Sequence, residues 1–159
     1  MKKLNLGCGE DLKKGWDNVD IRKLPGITNV FDLDKYPYPF KNNTYNEVLM
    51  KMILEHLKEP IKTLKEVIRI SKPNAKLTII VPHAFSYASK TDIQHKTNFT
   101  ENSFTEELLK QYALTNLRLI GKSFIFKNNW KRFIPFKNYL KIFFNGVYED
   151  ICFEFIIKK

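Results

Sequence analysis

The residues able to do chemistry cluster at a few points of the chain. Gly7-Cys8-Gly9 follows the apolar run Lys3-Leu4-Asn5-Leu6, and Gly15-Trp16-Asp17-Asn18-Val19-Asp20 follows closely. A strand running into a glycine turn lets a ligand approach bare backbone. An acid ending the next strand can accept both hydroxyls of a ribose. Asp32-Leu33 ends a third apolar stretch, where a carboxylate can accept an exocyclic adenine amine while leucine packs on the ring. A fourth stretch ends at Lys51-Met52. This is the ground plan of a nucleoside-cofactor site. Four groups suited to proton transfer, His83, Tyr87, Asp92 and His95, follow a later strand. His95 is the leading general base, with Asp92 near enough in sequence to orient it; the alternative is that the two pin a loop over the pocket. Glu55-His56 reads as a structural hydrogen-bonding pair.

The spacing selects among nucleosides. A dinucleotide fingerprint needs a third glycine where Leu12 stands, and its acid falls ~20 residues on, later than Asp20. Glu10 and Asp11 add negative charge that would repel a pyrophosphate. A cationic nucleoside without phosphate fits better, and S-adenosylmethionine (SAM) is one: it carries a sulfonium, an amino group and a carboxylate.

Elements must position these groups. Strands are expected at 2–6, 17–21, 28–32, 45–50, 76–81, 117–126 and 150–157. Apolar residues from Ile53 to Ile68 recur at helical spacing, and Pro60 divides them into a short turn and a helix with proline in its first turn. Thr100, or Ser103, is the expected N-cap of a helix running to about Tyr112. The alternation predicts one α/β domain over 1–159 with a mostly parallel sheet. The connections between the first three strands are too short for ordinary crossover helices. Helices are therefore reduced on the N-terminal flank, and the exposed sheet must be covered by the C-terminal segment or by a second copy in a homodimer.

Together these motifs resemble those of a compact class I SAM-dependent methyltransferase, of the methyltransferase type 11 kind. The resemblance runs through Leu4-Asn5-Leu6-Gly7-Cys8-Gly9, Gly15-Trp16-Asp17-Asn18-Val19-Asp20, Asp32-Leu33 and Ile53-Leu54-Glu55-His56-Leu57. It continues through Lys72-Pro73-Asn74-Ala75, Ile79-Ile80-Val81-Pro82 and Asp92-Ile93-Gln94-His95-Lys96, and thins after about residue 104. It implies a Rossmann-like methyltransferase sheet, mostly parallel with an antiparallel last strand. It also implies that Gly7, Cys8 and Gly9 meet the methionine portion and ribose, that Asp20 binds the ribose, and that Asp32 with Leu33 binds the adenine. Asn5, Ile21 and Lys51 complete the expected cofactor set. Asn5 stands where relatives often carry an acid, and Lys51 where they often carry histidine. No metal ligand set is expected.

Bulk properties narrow the partners. The chain has 159 residues, 43% of them hydrophobic, and a net charge of +10. Such a charge suits RNA or an anionic membrane surface. Yet only Arg22, Arg69, Arg118 and Arg132 among the 27 basic residues carry the planar fork that reads phosphates. No apolar run approaches the ~20 residues of a membrane span, and no signal-like stretch follows the first lysines, so a cytoplasmic location is expected. Cys8 and Cys152 have no metal-type spacing. Residues 126–148 form a basic aromatic insert in which Phe136, Tyr139, Leu140, Phe143 and Phe144 share one helical face. That face suits a membrane surface, an acceptor lid, or the uncovered sheet. The expected function is methyl transfer from SAM to an unidentified acceptor: a small molecule, a lipid or sugar, or RNA. The rivals are a SAM-fold binding module without catalysis, and a different nucleotide enzyme using the same turn.

Overall fold

A computed structural model of the chain describes residues 1–126, 133, 135–136, 139–140 and 146–159. Its centre is a seven-stranded sheet of order β3-β2-β1-β4-β5-β7-β6. β1 (Lys3–Leu6), β2 (Asp17–Asp20), β3 (Asn29–Val30), β4 (Tyr45–Lys51) and β5 (Ser71–Pro82) run parallel. β7 (Asp150–Ile157) inserts antiparallel between β5 and β6 (Leu117–Ile125). No helix joins β1 to β2 or β2 to β3.

Most elements stand close to where the sequence puts them. Pro60 opens α1 (Pro60–Ile70) after a 3-10 turn at Leu54–His56, since its missing N–H costs nothing in the first turn. β3 is shorter than expected: only Asn29 and Val30 pair with Val19 and Asp20. β5 begins earlier, because Ser71 pairs with Tyr45 ahead of a register shift. The helix expected from Thr100 is a correction. α3 spans only Glu106–Gln111, and its N-cap is Thr105, whose hydroxyl accepts from Leu108 N. Thr100 instead closes a separate turn: its N–H donates to Ser103 Oγ at 2.8 Å, and Ser103 N donates to its carbonyl at 3.1 Å. A short helix, α2 (Tyr87–Thr91), is capped by Ser86; nothing in the apolar pattern announces it.

The core lies on one face of the sheet. Leu6, Val48, Met50, Leu77, Ile79, Val81, Phe153 and Phe155 are fully buried there, with Leu64, Val67 and Ile70 of α1. The register puts Asn5, Leu49, Thr78 and Glu154 in one row on the opposite face, and Lys3, Glu47, Lys76 and Ile156 in the next. Those rows carry two cross-strand ion pairs, Lys3–Glu47 at 2.7 Å and Lys76–Glu154 at 2.5 Å. Charged and apolar residues thus alternate on this face, with Leu49 and Ile156 half-buried between the ion pairs. The aromatic stripe of the insert includes Phe143 and Phe144, which lie outside the described residues. No helix among the described residues is long and apolar enough to cross a membrane.

Candidate functional site

The carboxyl ends of β1, β2 and β4 meet at one edge of the sheet, where open α/β sheets bind ligands. A cleft of ≈ 140 Å³ opens at that edge. Gly7, Asp20, Ile21, Asp32 and Leu33 line it, together with Phe31, Ile53 and Leu57. Five of the nine expected cofactor residues thus share one cavity. Larger hollows of ≈ 340 and ≈ 570 Å³ lie elsewhere, beside α1 and α3, and contain none of the nine.

The turn is built around Asp20. One carboxylate oxygen accepts from Gly9 N at 2.8 Å; the other accepts from Arg22 N at 2.9 Å and Arg22 Nε at 3.2 Å. Burial would raise this carboxyl, but the amides of Arg22 and Gly9 and the guanidinium outweigh it and hold it below its usual range. Each oxygen has two lone-pair directions, so these bonds leave acceptor capacity for a ligand. Gly7 has φ +64°, and a side chain there would run into Ile53. Asp32 caps its own turn, accepting from Asp34 N at 2.9 Å. Leu33 is fixed from behind by Tyr38, whose hydroxyl donates to the Leu33 carbonyl at 3.0 Å.

Asn5, Cys8, Gly9 and Lys51 do not line the cleft. Asn5 is buried, and its amide donates to Asp11 O at 2.8 Å and Asn18 Oδ1 at 3.1 Å, stapling the glycine turn from below. Cys8 N donates to Val19 O at 2.9 Å, and burial followed by the Asp20 charge pushes its thiol up, away from thiolate. Lys51 Nζ pairs with Asp11 Oδ2 at 2.8 Å, while Lys13 holds Oδ1 at 2.6 Å. Asp11 is therefore neutralised twice, which corrects its part in the argument from crowded negative charge. A different feature disfavours phosphate: residues 7–16 form turns, so no helix N-terminus stands at the glycine turn to receive one.

The second group of candidates lies on the segment after β5. His83 is fully buried and committed: Phe85 N donates to its Nδ1 at 3.2 Å, and its Nε2 lies 3.0 Å from Glu101. Tyr87 projects into solvent. His95 and Asp92 are brought together, Nε2 to Oδ2 at 3.9 Å. His95 Nδ1 lies 3.3 Å from the Ser89 carbonyl, to which it donates in that tautomer. His56 stacks edge-on against His95 with centroids 4.7 Å apart. Glu55 is buried beside them, and neither of its carboxylate oxygens has a hydrogen-bond partner among the described residues. Burial, the largest influence on it, pushes this carboxyl up to about 7.

Phe31, Ile53 and Leu57 are the cleft residues that sequence reasoning does not select as ligands. Ile53 and Leu57 sit inside the apolar pattern that reads as helix, and only the crossing of the 53–57 turn over Gly7 reveals their second task.

No protein-family model matches the chain, and no curated protein matches it. Its fold is nevertheless widely shared among solved structures. A SAM-dependent methyltransferase from Archaeoglobus fulgidus is similar over 98% of this chain and 85% of its own, with TM-score 0.71 and 17% identity. An S-adenosylmethionine-dependent methyltransferase from Mesorhizobium loti is similar over 98% and 90%, with TM-score 0.66 and 10% identity. The [4+2]-cyclase SpnF is similar over 99% and 74%, with TM-score 0.65 and 12% identity. The architecture is the class I methyltransferase fold, and the cyclase shows that this fold also carries other chemistry.

Proposed function

We propose that this protein binds S-adenosylmethionine in the cleft between β1, β2 and the 31–33 turn and transfers its methyl group to an acceptor. The observation that carries the reading is the convergence of Gly7, Asp20, Ile21, Asp32 and Leu33 on one cavity at the carboxyl edge of the parallel strands. Asp20 would hold the ribose, Asp32 the adenine amine, and Leu33 with Ile21 the ring faces. Gly7 would let the methionine portion pass close to the backbone, with Cys8 and Gly9 shaping the turn behind it. Asn5 and Lys51 would act through that turn, which they brace. The two cleft carboxylates favour a cationic ligand, and the missing helix N-terminus disfavours a pyrophosphate.

When bound, SAM supplies an activated methyl group. The acceptor lone pair forms the new bond to carbon as the carbon–sulfur bond breaks, and sulfur leaves as a neutral thioether. Positioning is then the main demand on the protein. His95 and Asp92 are assigned to the acceptor side. Calorimetry with SAM, its demethylated product, NAD and ATP tests the reading. Micromolar binding of the first two alone supports it, and binding of NAD or ATP alone would sink it. Asp20→Asn, which keeps the side-chain shape, should cost at least tenfold in SAM affinity, as expected for a charged hydrogen bond worth ~1.5–3 kcal/mol.

A SAM-fold binding module without turnover is the second reading. It draws on Phe133, Phe136 and Tyr139, which are 83%, 77% and 71% exposed within the basic insert. SAM binding without product on pooled RNA, lipid and metabolite acceptors would favour it.

A further inference from the structure

Glu55, His56 and His95 each bring one ligand atom to a common point, and these atoms lie within 4.8 Å of one another. The group joins two distant segments. Lys96 N and Thr97 N donate to the Glu55 carbonyl at 2.8 and 3.2 Å, clasping the 95–97 segment onto the 54–56 turn. Glu55 is 1% exposed, and both its oxygens lack a hydrogen-bond partner among the described residues. A carboxylate so placed is costly unless it takes up a proton or a cation joins it. The His95 imidazole is oriented from behind. Its Nδ1 is placed to donate to the Ser89 carbonyl at 3.3 Å, which leaves Nε2 its lone pair. A bond of this kind fixes the tautomer of a metal-ligating histidine.

We propose that Glu55, His56 and His95 bind one divalent first-row transition ion. Two imidazoles and one carboxylate suit Zn²⁺, Mn²⁺, Fe²⁺ or Co²⁺, whereas Mg²⁺ and Ca²⁺ prefer all-oxygen sets. Three protein ligands leave a position open, as catalytic rather than structural ions require. The turn that carries Glu55 and His56 is flanked by Ile53 and Leu57, which line the nucleoside cleft. The ion therefore belongs beside the cleft wall. Resting on the methyltransferase reading, its consequence is an oxygen acceptor: the open position would take a hydroxyl and stabilise the alkoxide left when its proton passes to solvent. The metal site itself stands without that reading.

The full chain, stripped with a chelator, is titrated with Co²⁺ in the absence of SAM. The expected result is one equivalent bound with visible ligand-field absorption, bleached by Zn²⁺. His56→Ala and His95→Ala should each weaken binding by at least the ~10–100-fold that even an outer-shell partner costs. Glu55→Gln keeps the shape of the side chain and serves if an alanine variant fails to fold. It should stay folded and lose the rise in melting temperature that Zn²⁺ gives the parent. No stoichiometric Co²⁺ binding by the parent, or affinity unchanged in the histidine variants and in Glu55→Gln, would overturn the site. SAM binding, read separately by calorimetry, can stand or fall independently of either result.

Discussion

Gly7 shows what a single residue contributes to the cleft. Its φ of +64° is open to glycine at little cost, and Ile53 occupies the space a Cβ would need. The two demands are separable. Gly7→Ala should lose ~2–4 kcal/mol, combining a left-handed residue with an overpacked contact. Urea unfolding measures it. Adding Ile53→Ala should recover the contact part against the Ile53→Ala single variant and leave the backbone part. A fully additive double variant would show that Ile53 does not press on the turn. Glycine in this turn was legible from the sequence only in company, because a strand exit into Gly-x-Gly is often just a tight turn and it took Asp20 and Asp32-Leu33 at neighbouring strand ends to mark a ligand. Its partner was not, since Ile53 lies 46 positions away and looks like one more core residue in a helical pattern. The partner of Lys51 was hidden for a similar reason. Its position at a strand end places it at the ligand edge, and its charge pairs with Asp11 on the turn, a long-range contact that no local spacing encodes.

Among the elements, α1 positions more than its own core face. Arg69 donates to the carbonyls of Phe40 at 2.8 Å and Tyr38 at 3.0 Å, and to Glu66 and Asn42. It thereby ties the 36–42 loop to the helix. Tyr38 in turn holds the Leu33 carbonyl, and Phe31 packs on Tyr38 and Phe40 with centroids 5.3 and 5.6 Å apart. Arg69→Met keeps the aliphatic stem and removes the fork. It should destabilise by ~2–3 kcal/mol, the scale of charge-assisted bonds lost at partly buried carbonyls. It should also weaken SAM binding several-fold through Leu33, without touching the ligand. Loss of stability with unchanged SAM affinity would show that the loop does not rely on this clamp. The existence of α1 and its proline start were readable because eleven residues of periodic sequence overdetermine them. α3 has only six residues, too few for periodicity to place its start, and the expected caps Thr100 and Ser103 both stand before the actual one, Thr105. Both threonines close turns, and only tertiary packing of Phe104 and Leu109 decides which one starts the helix.

At the scale of the whole molecule, the short connections between β1, β2 and β3 leave one sheet face without helices among the described residues. The expected cover of that face is the C-terminal segment or a second copy, and most of that segment lies outside the described residues. Alternation along β1, β4, β5 and β7 puts Lys3, Glu47, Lys76, Thr78 and Glu154 on that face, so strands that read as core are amphipathic in fact. Paired substitutions separate an open face from a covered one. Ile80→Thr and Ile79→Thr are the same chemical change at neighbouring positions of β5, on opposite faces. Ile79 is fully buried, and a hydroxyl there should cost ~2–4 kcal/mol through lost apolar contact and an unpaired polar group. Ile80 is half-buried on the polar face and should cost under ~1 kcal/mol, since threonine keeps the β-branch and its hydroxyl can reach water. If a second copy covered this face, Ile80→Thr would cost as much as Ile79→Thr, and its effect would grow as the protein is concentrated through its dimer dissociation constant. Unfolding at two protein concentrations, with sedimentation velocity alongside, reads both outcomes. A small, concentration-independent cost at Ile80 is the expected result, because the ion pairs of this face remain accessible to water, where such charges need no further partner.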